Sequence, residues 1–310
     1  VDITFPNLQS LNDGVSLAFN TQLGAATTVY DKFCFKADST GGEEVYPRLN
    51  MLPGLREWIG DREVHRLSQT TFAIKNKLFE ETIAIEKTDI EDDKYGLLTP
   101  VAQQLGLNSA RLPDLLVAKQ LLNGHTTPCY DGQNFFDTAH PDYTSAGAAT
   151  TAANYVTGTS PVWYMFDTTQ VIRAVIFQRR RPFQVVPQFS MTDPQVFFNN
   201  EFRWGVDGRC NVGFGLWQVG FMSKAPLTIE NVQSAITTMS TYRRPDGTPL
   251  GIKPNLLVTG TGNFFSAKAL AEEMLVPNTL SNTYTASGTV TQVPNTVRGM
   301  FTPLENQWLN

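Results

Sequence analysis

Charge is scarce in this 310-residue sequence: Asp, Glu, Lys and Arg make up only 17% of it, against roughly 25% in an ordinary soluble domain. The 24 Lys and Arg are outnumbered by 29 Asp and Glu, for a net charge of −5. That balance excludes a dedicated nucleic-acid reader, which needs a basic stripe. With 41% hydrophobic residues it also excludes a charged disordered tail. Cysteine is scarce too. Three residues, Cys34, Cys129 and Cys210, cannot build a disulfide framework, and the odd number predicts free thiols in a reducing compartment. No apolar run approaches the ~18 residues of a membrane span. No charged-then-apolar segment opens the chain, so no secretory signal is expected. The chain begins at Val1, which fits loss of an initiator residue or of a longer leader.

Uncharged polar residues and 20 Phe fill the place of the missing charge. A surface poor in Lys and Glu but rich in Thr, Asn and aromatics resembles an interface more than a solvated exterior. The length suits one large domain or two ordinary ones.

Residues 1–30 carry only Asp2 and Asp13 as charges, and Leu8, Leu11, Val15, Phe19 and Leu23 recur at helical steps. That stripe predicts a short amphipathic helix, equally a core helix or an arm packed on a neighbouring subunit. Residues 39–54 are punctuated by Gly and Pro and read as loop. From Arg56 to Glu91 strand formers alternate with polar groups, Phe72 and Ile74 before Lys75-Asn76-Lys77, then Phe79, Ile83 and Ile85. A turn at Asn76 predicts a long hairpin, either exposed or laid across a partner. The acidic run Asp89, Glu91, Asp92, Asp93 lacks the Gly and closing Glu of a calcium loop and reads as a solvated corner.

Thr99-Pro100 is a helix start, with an apolar stripe running to Leu122 and Asn123-Gly124 as the stop; Gly106 and Pro113 predict a bend or break. Residues 142–161 are small, polar and loop-like. VWYMFD, VIRAVIFQRRR and the alternating stretch Phe197–Lys224 read as strands. A helix after Thr228, a short strand at Leu256–Val258, a helix over Phe264–Met274 and a Thr-rich loop at 277–298 close the chain. Together these predict an α+β architecture in two lobes.

The search for chemistry finds little. His125, Cys129 and His140 are spaced H-x3-C-x10-H, without the second Cys pair of a structural zinc site. The same residues could make a thiol nucleophile, but no base and orienting group can be assigned to it. Gly260-Thr261-Gly262 has Phe265 where a dinucleotide turn needs its third glycine. Structural loops are the expectation at both places, with no catalytic residue, metal or cofactor.

Several strings carry a resemblance: LREWIGDR (55–62), IKNKLFEETIAIEKTDIEDDKYG (74–96), TPCYDGQNFFDTAHP (127–141), GVDGRCNVGFGLWQ (205–218) and DGTPLGIKPNLLV (246–258). In this order they resemble the Mu-like major head subunit (gpT) family of tailed phages and prophages. The resemblance implies a major capsid protein with the Hong Kong phage capsid fold. It implies an N-terminal arm over 1–54 and an extended hairpin, the E-loop, over 55–93. A peripheral domain over 94–226 would hold a spine helix at 99–122 and part of the axial domain. Residues 227–310 would supply the axial domain's helical part and the C-terminal segment. In many relatives of this fold the helical part of the axial domain follows directly after the D-G-x-x-F-x-T-A-H-P segment, so strands at 161–224 imply a rearranged chain order here.

The implied partners are many copies of the chain, as hexamers and pentamers, with scaffold, portal and decoration proteins and loosely held double-stranded DNA. The implied setting is the virion capsid, and the host cytoplasm during assembly. Subunit contacts are expected at Phe72, Ile74, Lys75, Asn76, Lys77 and Phe79 of the hairpin and at Leu8, Leu11 and Phe19 of the arm. Arg179, Arg180 and Arg181 are expected in ion pairs or weak DNA contacts. A portal or tail protein, and a Cys-dependent enzyme, are the competing readings.

Overall fold

A computed structural model describes residues 3–46, 72–92, 98–277 and 292–309. The opening segment forms helix α1 (Phe5–Ala25), with Pro6 in its first turn, where the absent N–H costs nothing. Strands β1 (Cys34–Asp38), β2 (Glu43–Tyr46), β3 (Phe72–Lys75) and β4 (Lys77–Glu86) follow. The acidic corner folds as a short helix, α2 (Lys87–Glu91), and the expected long helix is α3 (Leu98–Leu122). Next come β5 (His140–Tyr143), β6 (Ala149–Ala152), β7 (Tyr155–Val156), β8 (Trp163–Phe166) and β9 (Val175–Gln188). Helix α4 (Pro194–Asn199) ends at Asn200 in the left-handed region, φ 56°, and β10 (Glu201–Phe214) turns back from it. The chain closes with β11 (Gly220–Ser223), α5 (Ile229–Thr241), β12 (Leu256–Thr259), α6 (Thr261–Glu272), β13 (Leu275–Pro277), β14 (Gln292–Pro294) and β15 (Thr302–Glu305).

Two sheets organise the subunit. The first has the order β1-β9-β10-β4, and the second β15-β12-β8-β11-β7. β10 is the central strand of the first and alternates strictly: Phe202, Trp204 and Val206 face the core while Arg203 and Asp207 face away. That period of two is what one buried face requires. α1 and α3 cover this face, with Leu8, Val15 and Ala18 of α1, Ala102 of α3, and Phe202 and Trp204 in one cluster. Phe19, Leu105 and Val206 continue the layer. Pro182 is tolerated inside β9 because the β9–β10 register slips between Asp207 and Cys210. Gly208 at that slip leaves room for the Phe183 ring.

The second sheet is apolar on both faces, Trp163 through Phe166 all being buried. A larger cluster unites it with α5, α6 and the C-terminal half of α3 through Val117 and Leu121. The strands at 161–224 therefore divide between the sheets. β8 and β11 pair with each other and β8 with β12, while β9 and β10 run out into the first sheet between them.

Four expectations change. Residues 72–75 and 77–86 are not the arms of one hairpin: β3 pairs with β2, and β4 pairs with β10. Asn76 is a buried link between two sheets instead of an exposed turn. The strand β2 stands in the segment read as loop, and the hairpin that does form, β2–β3, is closed by residues 47–71, outside the described residues. Of the bend or break expected at Gly106 and Pro113, the break does not occur: α3 is continuous through both, and Gly106 is where α1 crosses it. Residues 142–161 contain a small β5–β6 hairpin and β7, not only loop.

Candidate assembly surfaces

The β2–β3 ribbon leaves the first sheet at a polar corner. Ile74 is buried, and a Cβ on Gly213 would lie 2.4 Å from its Cδ1. Asn76 is buried as well, donating from Nδ2 to Ser39 Oγ at 2.9 Å and to the Gly41 carbonyl at 3.1 Å. Lys75 and Lys77 on either side are exposed, and Phe79 is half-buried at an open groove of about 320 Å³ with Leu112, Phe183 and Trp308. Glu44 closes the turn before β2: one carboxylate oxygen accepts from the backbone N–H groups of Gly41 and Thr40 and from Ser39 Oγ. Those bonds, the one from Gly41 first, hold its carboxyl below the usual glutamate range. Phe72 is placed on β3 by its backbone.

On α1 the apolar stripe is used within the subunit. Leu8 and Phe19 are buried against α3 and the first sheet, and Leu11 is partly covered. Leu8, Phe19, Ile74 and Asn76 each have their own chain packed over them, so within the subunit they serve the core. The exposed apolar groups of α1 are Phe5 and Leu17, at 68% and 70%.

The most exposed aromatics stand where no contact was expected. Phe197 and Phe198 on α4 are 79% and 78% exposed, their rings 5.2 Å apart and edge to face. They sit on the helix that joins β9 to β10, and Met191 in the same connection is exposed as well. Phe265 on α6 is 77% exposed, and Met274 and Leu275 beyond that helix are exposed as well. The signal in the sequence was a Phe doublet flanked by Asn and Gln, which strand periodicity absorbed into β10.

The arginine run is largely spent on its own chain. Arg179 pairs with Asp38 at 3.0 Å, Arg180 donates to the Ser39 carbonyl at 3.1 Å, and Arg181 pairs with Asp207. The Arg179 and Arg181 contacts are ion pairs at a sheet surface, where such pairs contribute under about 1 kcal/mol each.

The Cys129 neighbourhood holds no activated thiol. Burial pushes Cys129 up to about 12, and the charge of Asp131 adds to the shift. His140 is wholly buried; its Nδ1 meets Asp131 Oδ2 at 2.6 Å and its Nε2 meets the Phe135 carbonyl at 3.2 Å and Asn154 Oδ1 at 3.1 Å. Both ring nitrogens are engaged, and the ring stacks on Trp217 at 4.1 Å, so neither is available as a base toward Cys129. His125 stands apart, beside Tyr155. Among the described residues no group of His, Cys, Asp and Glu could hold a metal ion, and no helix is long and apolar enough to cross a membrane.

The described residues offer exposed apolar surface at several places. Comparison with known proteins identifies the family. The family model for the Mu-like prophage major head subunit gpT matches residues 8–295. The major capsid protein of Escherichia phage Mu is 33% identical over 279 residues, 88% of this chain and 92% of that one. The FluMu prophage major head subunit of Haemophilus influenzae is 33% identical over 281 residues, 88% and 91%. Among solved structures, the procapsid of bacteriophage JBD30 superposes with a TM-score of 0.79 at 34% identity, over 99% of this chain and 100% of that one. The JBD30 capsid gives 0.75 at 26% identity, over the whole of both chains. The α+β fold described above is therefore that of tailed-phage capsid subunits, and the chain belongs to the Mu-like major head subunit gpT family of phage major capsid proteins.

Proposed function

We propose that copies of this chain close into hexamers and pentamers and that these build the icosahedral head around double-stranded DNA. The observation that carries the reading is the whole-length similarity to a subunit taken from a procapsid. Rings arise when one patch of a subunit meets a different patch of its neighbour and the rotation closes. The described surface supplies such patches at three separated places: the ribbon corner, the α4 tip and α6. The first sheet with α1 and α3 is the peripheral domain, the second sheet with α5 and α6 the axial domain, and β2–β3 is the base of the extended loop that crosses a neighbour. Expansion on DNA entry is a switch between two packings of these contacts.

The DNA is held loosely. A net charge of −5 and an arginine run already paired internally leave phosphate contacts weak and non-specific. Scaffold, portal and decoration proteins complete the particle. The last of these accords with the JBD30 capsid, whose solved form is decorated with minor capsid protein trimers. Assembly takes place in the host cytoplasm and the product resides in the virion.

The test is negative-stain microscopy of the expressed chain, alone and with its scaffold. Closed shells or capsomers are expected. Open rings or tubes would reassign the chain to a portal or tail role, and a monodisperse monomer under both conditions would overturn self-assembly.

A further inference from the structure

We propose that Gln178, Asn76 and Asn211 form a side-chain latch that sets the angle at which the β2–β3 ribbon leaves the subunit, and thereby whether shells close correctly. The inference rests on the reading of that ribbon as an assembly element.

Gln178 is the reason to look here. It is wholly buried on β9, immediately after the apolar run Val175, Ile176, Phe177. A buried amide in such a run is costly unless its hydrogen bonds are made. They are made to the ribbon: Nε2 donates to the Ile74 carbonyl at 3.0 Å and to Asn76 Oδ1 at 2.9 Å. From the neighbouring strand, Asn211 Nδ2 donates to the Lys75 carbonyl at 2.7 Å. Consecutive carbonyls of β3 thus accept from side chains of β9 and β10, and toward the first sheet these side chains take the place of the backbone ladder that β3 makes only with β2.

That substitution has a geometric consequence. A strand bonded through the ladder must lie at sheet spacing and share the sheet's twist. A strand held to that sheet by side-chain amides is free of its spacing and twist, and its direction relative to the sheet follows where those amides point. β3 pairs only with β2 and belongs to neither large sheet. Asn76 joins the two sides of the corner, since its N–H donates to the Gly42 carbonyl at 3.0 Å and its Nδ2 reaches Ser39 and Gly41. Ser39 is itself anchored, its N–H donating to the Arg179 carbonyl at 2.9 Å. The three latch side chains are neutral amides, and the carboxylate of Glu44 reaches them through Ser39 Oγ.

The experiment pairs Gln178→Met, which keeps the shape and removes the donor, with Asn211→Ser, which sits at the surface end of the latch and spares the core. Lys77→Ala is the control beside the latch. Amide exchange of the full-length chain is followed by mass spectrometry at residues 43–46 and 72–76, with β10 and α3 as internal references. Particles are scored by microscopy. Both latch variants are expected to exchange about tenfold faster in the ribbon, with the references and the control unchanged, and to give fewer closed shells or shells of mixed diameter. Unchanged ribbon exchange, a uniform rise over β10 and α3, or shells of normal size and yield from both variants would each overturn the proposal. If the unmodified chain builds no shells, the proposed function fails, while the exchange data still decide whether the latch exists.

Discussion

Replacing Gly106 by alanine sets two physical effects of opposite sign against each other. Gly106 lies inside α3, where helix propensity alone favours Gly→Ala by about 1 kcal/mol. Packing opposes it. A Cβ at Gly106 would stand 2.5 Å from the Phe19 carbonyl oxygen, 3.2 Å from the Leu23 nitrogen and 3.3 Å from Gln22 Cβ, whereas ordinary contact begins at 3.4 Å. Two of the three atoms are backbone, so no rotamer change relieves the contact, and α1 must retreat by roughly 1 Å, enough to forfeit a large part of the dispersion well along the crossing. That retreat loosens Phe19, Val15 and Leu8, all now buried. Overpacking of this kind costs about 1–3 kcal/mol, and the upper end applies to rigid backbone. The net is a loss of about 2 kcal/mol, or a Tm lower by roughly 4 °C in a chain of this size. Gly14, exposed on α1 with nothing within 4 Å of an added Cβ, is the matched control: Gly14→Ala gains up to about 1 kcal/mol. The assay is thermal unfolding of the unassembled subunit for both variants. A Gly106→Ala protein melting at or above the parent would refute the close helix crossing.

Other substitutions test other parts of the argument. Asp114, buried on α3, accepts from the Val29 and Tyr30 N–H groups at 3.0 and 2.7 Å, and burial raises its carboxyl above 3.8. Its contribution is complete below pH 3.8 and is lost as pH rises through the raised folded value. Asp114→Asn keeps an acceptor without the charge. It should match the parent in acid and unfold at higher denaturant near pH 7, and an equal deficit at both pH values would contradict this. The double change Phe197→Ser with Phe198→Ser should leave subunit stability within about 0.5 kcal/mol yet raise the concentration needed for assembly at least about tenfold; light scattering reads the second and circular dichroism the first. Cys129→Ala should assemble normally, whereas His140→Ala, which removes a buried, hydrogen-bonded ring and leaves a cavity beside Trp217, should lose about 2–4 kcal/mol and appear in the insoluble fraction. Normal solubility of the His140 variant would contradict the structural role given to that ring.

Regular periodicity was legible. The stripe of α1, the capped start of α5 at Thr228 and the buried run of β12 all appear as their residues predicted, because each element buries one face or none of its polar groups. What the pattern could not carry was pairing. Phe72, Ile74 and Phe79 alternate in the same way whether 72–75 pairs with 77–86 or with β2, so the chain between them looked like a turn. Only the burial of Asn76 and its amide partners, residues 37 and 102 positions away, distinguishes the two. The Phe197-Phe198 doublet was hidden for a similar reason: a helix of six residues is too short to impose a period. The family resemblance named the parts of the fold, while their limits depended on sheet partners distant in sequence.

The route of the chain through the second sheet has a consequence for timing during synthesis. β8 cannot pair until β11 and β12 exist, and β12 is flanked on its other side by β15, which ends at Glu305. Between β8 and β11 the chain builds the hairpin of the other sheet. A nascent subunit therefore holds unpaired strands until β15 has left the ribosome, and long-range closure of this kind is slow and cooperative. Chains that stop short of β15 lack its pairing with β12 and so have an unfinished second sheet, which makes the topology itself a check on premature termination.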